Sequence, residues 1–181
     1  SIMMLMNDRL KVTLQTIHTP LRKITKEITR DNIIEKVCII NEELKTKFGR
    51  KKPKILICGV NPHAGEDGLL GKEEIDIIIP AVKSLKKMGI IVDGPVPADT
   101  AFIKKFVSKY DVIHTMYHDQ GLPVIKYDDF SRTTNVTLGL PIIRVSVDHG
   151  TATELVGTGK VDISSFTQAL KVARDISKSA I

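Results

Sequence analysis

The chain has no tryptophan, and only three tyrosines and five phenylalanines among its 181 residues. That leaves no aromatic platform of the kind on which single-stranded nucleic acid stacks. Cysteine is equally scarce. Cys38 and Cys58 both lie inside apolar periodic segments, and they form neither a C-x-x-C unit nor a disulfide framework. Such usage points to a reducing, cytoplasmic setting. No apolar run reaches transmembrane length and no cleavable signal pattern is present, so neither a membrane span nor export is expected. Internal repeats, low-complexity tracts and linkers are missing too, and residues 1–181 read as one domain or one part of one. The net charge of +6 is spread over scattered pairs such as Arg22-Lys23, Lys51-Lys52, Lys86-Lys87 and Lys104-Lys105. That reads as a solvated surface with a phosphate pocket, not as a nucleic-acid face.

With 42% hydrophobic and 27% charged residues the composition is that of an ordinary globular protein, long enough for one good core. The chain opens on Ser1 followed by Ile2-Met3-Met4-Leu5-Met6, core-type residues with no cap before them. We read this as a strand entered partway through a domain, with an N-terminal part missing.

Alternation predicts a strand over 10–15, running into His18-Thr19-Pro20. Ile33, Ile34, Val37, Ile40 and Leu44 follow helical spacing, with Thr29 or Asp31 as N-cap and Gly49 as stop. Residues 55–60 form an unbroken apolar run, the pattern of a parallel strand covered on both faces. A glycine-rich loop over 61–71 leads to a helix over 73–88, which Pro80 should kink. A basic helix through Lys109, a strand over 112–117, a loop to Thr137, a strand over 141–147 and a helix over 165–177 complete the chain. Strands alternating with helices give an α/β fold with a mainly parallel sheet.

Four histidines, His18, His63, His118 and His149, each follow an apolar strand and sit beside Pro, Gly or Asp. In open α/β sheets ligands bind outside the carboxyl ends of strands, so these imidazoles are expected to face one crevice. Three neutral imidazoles can hold a divalent ion with one position open for substrate. Separate hydrogen-bonding roles for each remain the alternative. His114 lies inside its strand and reads as structural. Asp119 follows His118, where a carboxylate can orient a ligating ring. Asp99 is a second candidate, or a helix cap before Thr100. Lys126, Arg132 and Arg144 bring cations suited to a phosphorylated or carboxylated substrate. Lys126 and Arg132 also read as plain surface residues, whereas Arg144 interrupts an apolar strand and would need an anionic partner if buried. The spacing of Gly65, Gly68 and Gly71 is not the dinucleotide fingerprint and indicates only loop geometry.

Four ordered motifs together resemble one family. They are Asn61-Pro62-His63-Ala64-Gly65-Glu66, Gly94-Pro95-Val96-Pro97-Ala98-Asp99-Thr100, Tyr117-His118-Asp119-Gln120-Gly121-Leu122-Pro123 and Ser146-Val147-Asp148-His149-Gly150-Thr151-Ala152. In them the chain resembles the 4-hydroxythreonine-4-phosphate dehydrogenases over all its residues, as roughly the C-terminal half of such an enzyme. The resemblance implies a three-layer α/β/α fold of the isocitrate and isopropylmalate dehydrogenase type. It implies a divalent metal (zinc, magnesium or cobalt) on His18, His63 and His118, at a homodimer interface that draws on both subunits. Lys126, Asn135 and Arg144 match substrate contacts. The implied reaction is NAD-dependent oxidation of 4-phosphooxy-L-threonine at C3, with NADP as a variant cofactor. Decarboxylation then gives 3-amino-2-oxopropyl phosphate for pyridoxal phosphate synthesis. Proton relay would fall to Lys126 or to an aspartate, Asp119 or Asp99. The stretch from His149 to Gly157 is similar to the adenosine loop of the isopropylmalate and isocitrate enzymes. It implies NAD against Asp148, His149, Gly150 and Thr151, with Asp162 near the adenine. The family's N-terminal His-Thr pair has no counterpart here, so the chain alone is expected to be inactive or nearly so. Two alternatives stand beside this: a related dehydrogenase of a four-carbon phospho-hydroxy acid, and a non-catalytic metal-binding remnant.

Overall fold

The computed structural model describes residues 1–148 and 153–179. The elements run β1 (Ile2–Met6), β2 (Lys11–Leu14), α1 (Leu21–Glu27), α2 (Arg30–Thr46) and β3 (Lys54–Cys58). A tight turn over Pro62–Gly68 and a wide, π-helical turn over Glu74–Ile78 precede α3 (Ile79–Lys87). Then come β4 (Ile91–Val96), α4 (Ala98–Ala101), α5 (Lys104–Val107), β5 (Val112–Thr115), α6 (His118–Asp129), β6 (Thr134–Leu138), β7 (Arg144–Val147) and α7 (Ser164–Ser179).

The strands form one seven-stranded sheet in the order β4-β3-β5-β2-β1-β6-β7. Neighbours from β4 through β2 are parallel, while β1 is antiparallel to both β2 and β6, and β7 to β6. Strands β2 to β6 therefore share one direction, and only β1 and β7 oppose it. Alternation along β3 shows how the layers form. Ile55 and Ile57 pack with Ile33, Val37, Ile40 and Leu44 of α2 and with Leu85 of α3, whereas Leu56 and Cys58 pack with Leu122 and Ile125 of α6. Helices cover both faces, as a strand apolar on every residue requires. Burial pushes the Cys58 thiol up to about 12, so it stays protonated in the core. No described helix is long and apolar enough to cross a membrane.

Thr29 does cap α2, its hydroxyl accepting from the Asn32 amide at 3.2 Å. Three local expectations change. The stretch after β5 is not a loop to Thr137 but α6 followed by β6. Gly121 lets α6 lie close on the sheet, since a Cβ there would stand 2.6 Å from Val12 Cγ1. Pro123 removes a single bond, to the Asp119 carbonyl in the first turn, and burial of Leu122 and Ile125 outweighs it. Pro80 does not kink a running helix. It stands in the first turn of α3, where its missing N–H is least needed, and the irregularity is the wide turn ahead of it. The basic helix through Lys109 is instead two short ones, α4 and α5.

Candidate functional site

The sheet order sets the carboxyl ends of β4, β3, β5 and β2 side by side. Beyond them follow Asp99, His63, His118 and His18 respectively, so the expected crevice gathers residues from four separate crossovers. His18 and His118 meet. Their ring centroids are 5.7 Å apart at 43°, beside a cavity of about 310 Å³ that Thr19, Leu21, Tyr117 and Asp119 also line. His118 opens α6, and its Nδ1 lies 2.6 Å from Asp119 Oδ1. A carboxylate only accepts, so Nδ1 is the donor, and in the neutral ring Nε2 is the nitrogen with the lone pair.

His63 has the same arrangement with a residue the motif reading did not single out. Its Nδ1 lies 2.5 Å from Glu66 Oε1. That hydrogen bond, the Glu66 charge and the more distant Asp99 raise the imidazole pKa above its ordinary value, against slight desolvation. The surrounding loop is left-handed. His63, Ala64, Glu66 and Asp67 have φ of 51°, 53°, 42° and 53°, with Gly65 at 86° between them. For L-residues that region costs about 1–2 kcal/mol each, so outside contacts must hold it. One brace is Gln120, whose Nε2 donates to the Gly59 carbonyl at 2.7 Å while its Oε1 accepts from the Met116 amide at 2.7 Å. It ties the start of α6 to the end of β3.

The pair His18 and His118 fits a shared ion. With metal–nitrogen bonds near 2.1 Å, two imidazoles on one tetrahedral ion have centroids roughly 5 Å apart. Among the described residues, however, no three His, Cys, Asp or Glu side chains lie close enough together to hold a metal. His63 stands with Glu66, outside the His18–His118 pair.

The remaining candidates gather elsewhere. Lys126 Nζ lies 3.1 Å from Asp148 Oδ2 and 5.7 Å from the centroid of the Phe130 ring. The contact is close but poorly aligned: among the described residues neither Asp148 Oδ2 nor Asn135 Oδ1, both buried, accepts a hydrogen bond. Arg144 is an exposed residue opening β7, donating to Thr137 Oγ1 at 2.8 Å. Because β7 begins there, at the sheet edge, Arg144 is not buried, and the condition under which it would need an anionic partner is not met. Lys126 lies eight residues along α6 from His118, about 12 Å at 1.5 Å per residue. Asn135 pairs with Leu5 and Ser146 near the amino end of β6. In one copy of the chain Lys126 and Asn135 thus sit toward the opposite end of the sheet from the imidazole pair, whereas Arg144, opposite Thr137 near the carboxyl end of β6, is at the imidazoles' end but on the outermost strand. Of the nucleotide candidates, His149, Gly150 and Thr151 lie outside the described residues. Asp162 Oδ1 accepts from the Ser164 amide at 2.9 Å, at the start of α7. His114 is structural, with its ring between Thr13 Oγ1 and Gln15 Oε1, each at 3.0 Å.

Comparison with known proteins matches residues 1–173 to the family described as pyridoxal phosphate biosynthetic protein PdxA. The chain is 52% identical over 178 residues to a 4-hydroxythreonine-4-phosphate dehydrogenase of Pseudoalteromonas atlantica, covering 98% of this chain and 55% of that one. It superimposes on the crystal structure of a 4-hydroxythreonine-4-phosphate dehydrogenase from Klebsiella pneumoniae with a TM-score of 0.87 and 39% identity, covering 97% of this chain and 54% of the other. A terephthalate 1,2-cis-dihydrodiol dehydrogenase from Burkholderia xenovorans is similar at a TM-score of 0.75 and 27% identity, over 95% of this chain and 55% of that one. The chain spans about half the length of the curated relatives it matches.

Proposed function

The chain belongs to the pyridoxal phosphate biosynthetic protein family PdxA, and from that membership we propose that it forms the imidazole and phosphate-binding part of a 4-hydroxythreonine-4-phosphate dehydrogenase. The reaction is NAD-dependent oxidation of 4-phosphooxy-L-threonine at its C3 hydroxyl, then loss of carbon dioxide to leave 3-amino-2-oxopropyl phosphate. The observation that carries this reading is the convergence of His18 and His118 at the carboxyl ends of neighbouring parallel strands, 5.7 Å apart.

Nε2 of His118 and of His63 are the coordinating atoms, because Asp119 and Glu66 hold the opposite nitrogens. The chemistry a divalent ion would supply there is positive charge against the C3 oxygen as that oxygen loses its proton and C3 its hydride to NAD, and again as carbon dioxide departs. Imidazole ligands favour zinc over magnesium, with cobalt also suited. Lys126 and Arg144 supply cations for the phosphate and carboxylate, and Asn135 Oδ1 a buried acceptor for a donor on the substrate. Lys126, held by Asp148, or one of the aspartates Asp119 and Asp99, passes the proton at C3. NAD, or NADP, lies against residues 148–151 with Asp162 toward its adenine.

A homodimer joins the two halves of this equipment. A second copy can bring its Lys126 and Asn135 to the first copy's imidazole pair and complete the ion's ligands. Exposed apolar side chains around the histidine loops support such an interface: Leu21 is 73% and Leu69 79% accessible, with Leu70 and Ile75 beside it. A second reading is oxidation of a four-carbon phospho-hydroxy acid, whose phosphate and carboxylate the same cations would fit. An acceptor such as Asn135 Oδ1 takes a bond from an ammonium or a hydroxyl alike, so assay of full-length protein on both substrates decides between them.

The metal reading is tested on the chain itself. After zinc loading and dialysis, wild type should retain close to one ion per chain. His63→Ala and His118→Ala should each bind at least ~100-fold more weakly. Equal, substoichiometric zinc in all three proteins would sink the three-histidine site.

A further inference from the structure

Glu74 is 1% exposed, on the wide turn before α3. A buried carboxylate is unfavourable unless its oxygens are hydrogen-bonded. Here all three donors come from two consecutive residues. Oε1 accepts from the Val60 amide at 2.7 Å and the Asn61 amide at 2.8 Å, and Oε2 accepts from Asn61 Nδ2 at 2.9 Å. Asn61 Nδ2 also donates to the neighbouring Glu73 Oε2 at 2.7 Å. The loop then closes around the same carboxylate. A Cβ on Gly59 would stand 2.9 Å from Glu74 Oε1, and one on Gly65 would stand 2.7 Å from Oε2. Both glycines are therefore needed by the close approach of backbone to this side chain, and His63 lies between them.

Neither intrinsic preference nor burial explains why this loop keeps its shape. His63 and Glu66 are exposed, and four L-residues hold positive φ. Freed from outside contacts, such a run returns to right-handed or extended conformers. A coordinating group must be held within about 0.5 Å of its working position. We propose that Glu74 is the positioning residue for His63: its buried carboxylate clamps residues 60 and 61 and forms the post around which the left-handed turn presents the imidazole. The proposal rests on the reading of His63 as a metal ligand. Charge-assisted bonds to backbone amides suit the task, being short and directional.

The test is Glu74→Gln in the whole 181-residue chain, with cobalt(II) alone as probe. Glutamine keeps one oxygen for the Val60 and Asn61 amides, but its amide nitrogen meets Asn61 Nδ2 donor to donor. In the metal-free variant the backbone and ring ¹H–¹⁵N resonances of His63, and those of Ala64 and Gly65, should shift or broaden. Cobalt affinity should fall ~10- to 100-fold with a changed visible spectrum. Ile78→Val, in the same wide turn but with no polar side-chain atom to bond the loop, should lower thermal stability and leave both readouts at wild-type values. Unmoved His63 resonances in Glu74→Gln, or an equal disturbance in Ile78→Val, overturns the assignment. If His63→Ala binds cobalt as wild type does, the ligand reading fails instead, whatever Glu74→Gln does to the loop. Should Glu74→Gln not fold, Asn61→Ala, which removes one donor of the three, takes its place with the same expected shifts.

Discussion

Alanine at position 94 is expected to lower the melting temperature by roughly 10–15 °C, a loss of about 4 kcal/mol for a chain of this size. Gly94 has φ of +130°, and a Cβ there would stand 2.3 Å from the Ile57 carbonyl oxygen and 3.1 Å from its carbon. The obstacle is backbone, and it belongs to β3, which is fixed between β4 and β5. No side-chain rotation relieves it. Either β4 moves off β3 near the register shift between Leu56 and Cys58, or alanine takes a strained geometry, and overpacking and backbone strain each cost about 1–3 kcal/mol. Gly49→Ala is the matched control. Its φ is +63° with nothing within 4 Å of the added carbon, so a cost of about 1 kcal/mol is expected. Calorimetry of both variants checks the pair, and a melting temperature for Gly94→Ala within about 3 °C of Gly49→Ala would refute the clash. The consequence reaches the site, because β4 leads through Pro97 to Asp99, beside the His63 loop.

Acid should weaken the fold well before carboxylates titrate, and His114 is the cause. The ring is fully buried between β2 and β5, and burial first, then the charge of Lys36, depress its pKa to about 3. Lys36 Nζ donates to the backbone carbonyl of Gln15, whose side chain contacts the ring. A native imidazole at about 3 against about 6.5 unfolded means that the unfolded chain binds the extra proton between those values. Stability from this group is full above pH 6.5 and falls by about 1.4 kcal/mol per unit below it. Chemical denaturation from pH 6.5 to 4.5 should show a loss of ~2–3 kcal/mol in wild type. His114→Gln, which can still bond Thr13 and Gln15, should show a much shallower slope. Equal slopes would mean that the ring is protonated in the native state. Exposed His63 acts in the opposite sense, its pKa being raised in the fold.

How much of this could be read along the chain differs from residue to residue. Strand-end placement of His18, His63 and His118 was readable because each follows an apolar run, and such runs report only on local burial. The structural role of His114 was readable for the same reason, since it lies inside one. Helix α6 was not. Gly121 and Pro123 carry loop signals, and only the nearness of Val12 and the burial of Leu122 and Ile125 override them. Arg144 lies in an apolar run that reads as a strand from 141, whereas β7 starts at Arg144 itself on the sheet edge and leaves it exposed. Glu66 and Glu74 went unremarked as site groups. An acid three residues after a histidine, or in the first turn of a helix, is common, and neither spacing says that a left-handed turn will fold one against His63 and close the other inside.

Periodicity, caps and strand-end punctuation are properties of neighbouring residues, so the chain's own order determined the α/β layering and the candidate imidazoles, and narrowed the N-cap of α2 to Thr29 or Asp31. Distances between residues far apart in sequence depend on strand order and on which contacts outweigh local preference. Only the folded sheet, with β5 between β3 and β2, decided that His18 meets His118 and that Lys126 and Asn135 lie toward the other end. The left-handed loop belongs to the same class. Its conformation is unfavourable residue by residue, and it persists because a buried carboxylate 11 residues beyond His63 in the chain is hydrogen-bonded against its base.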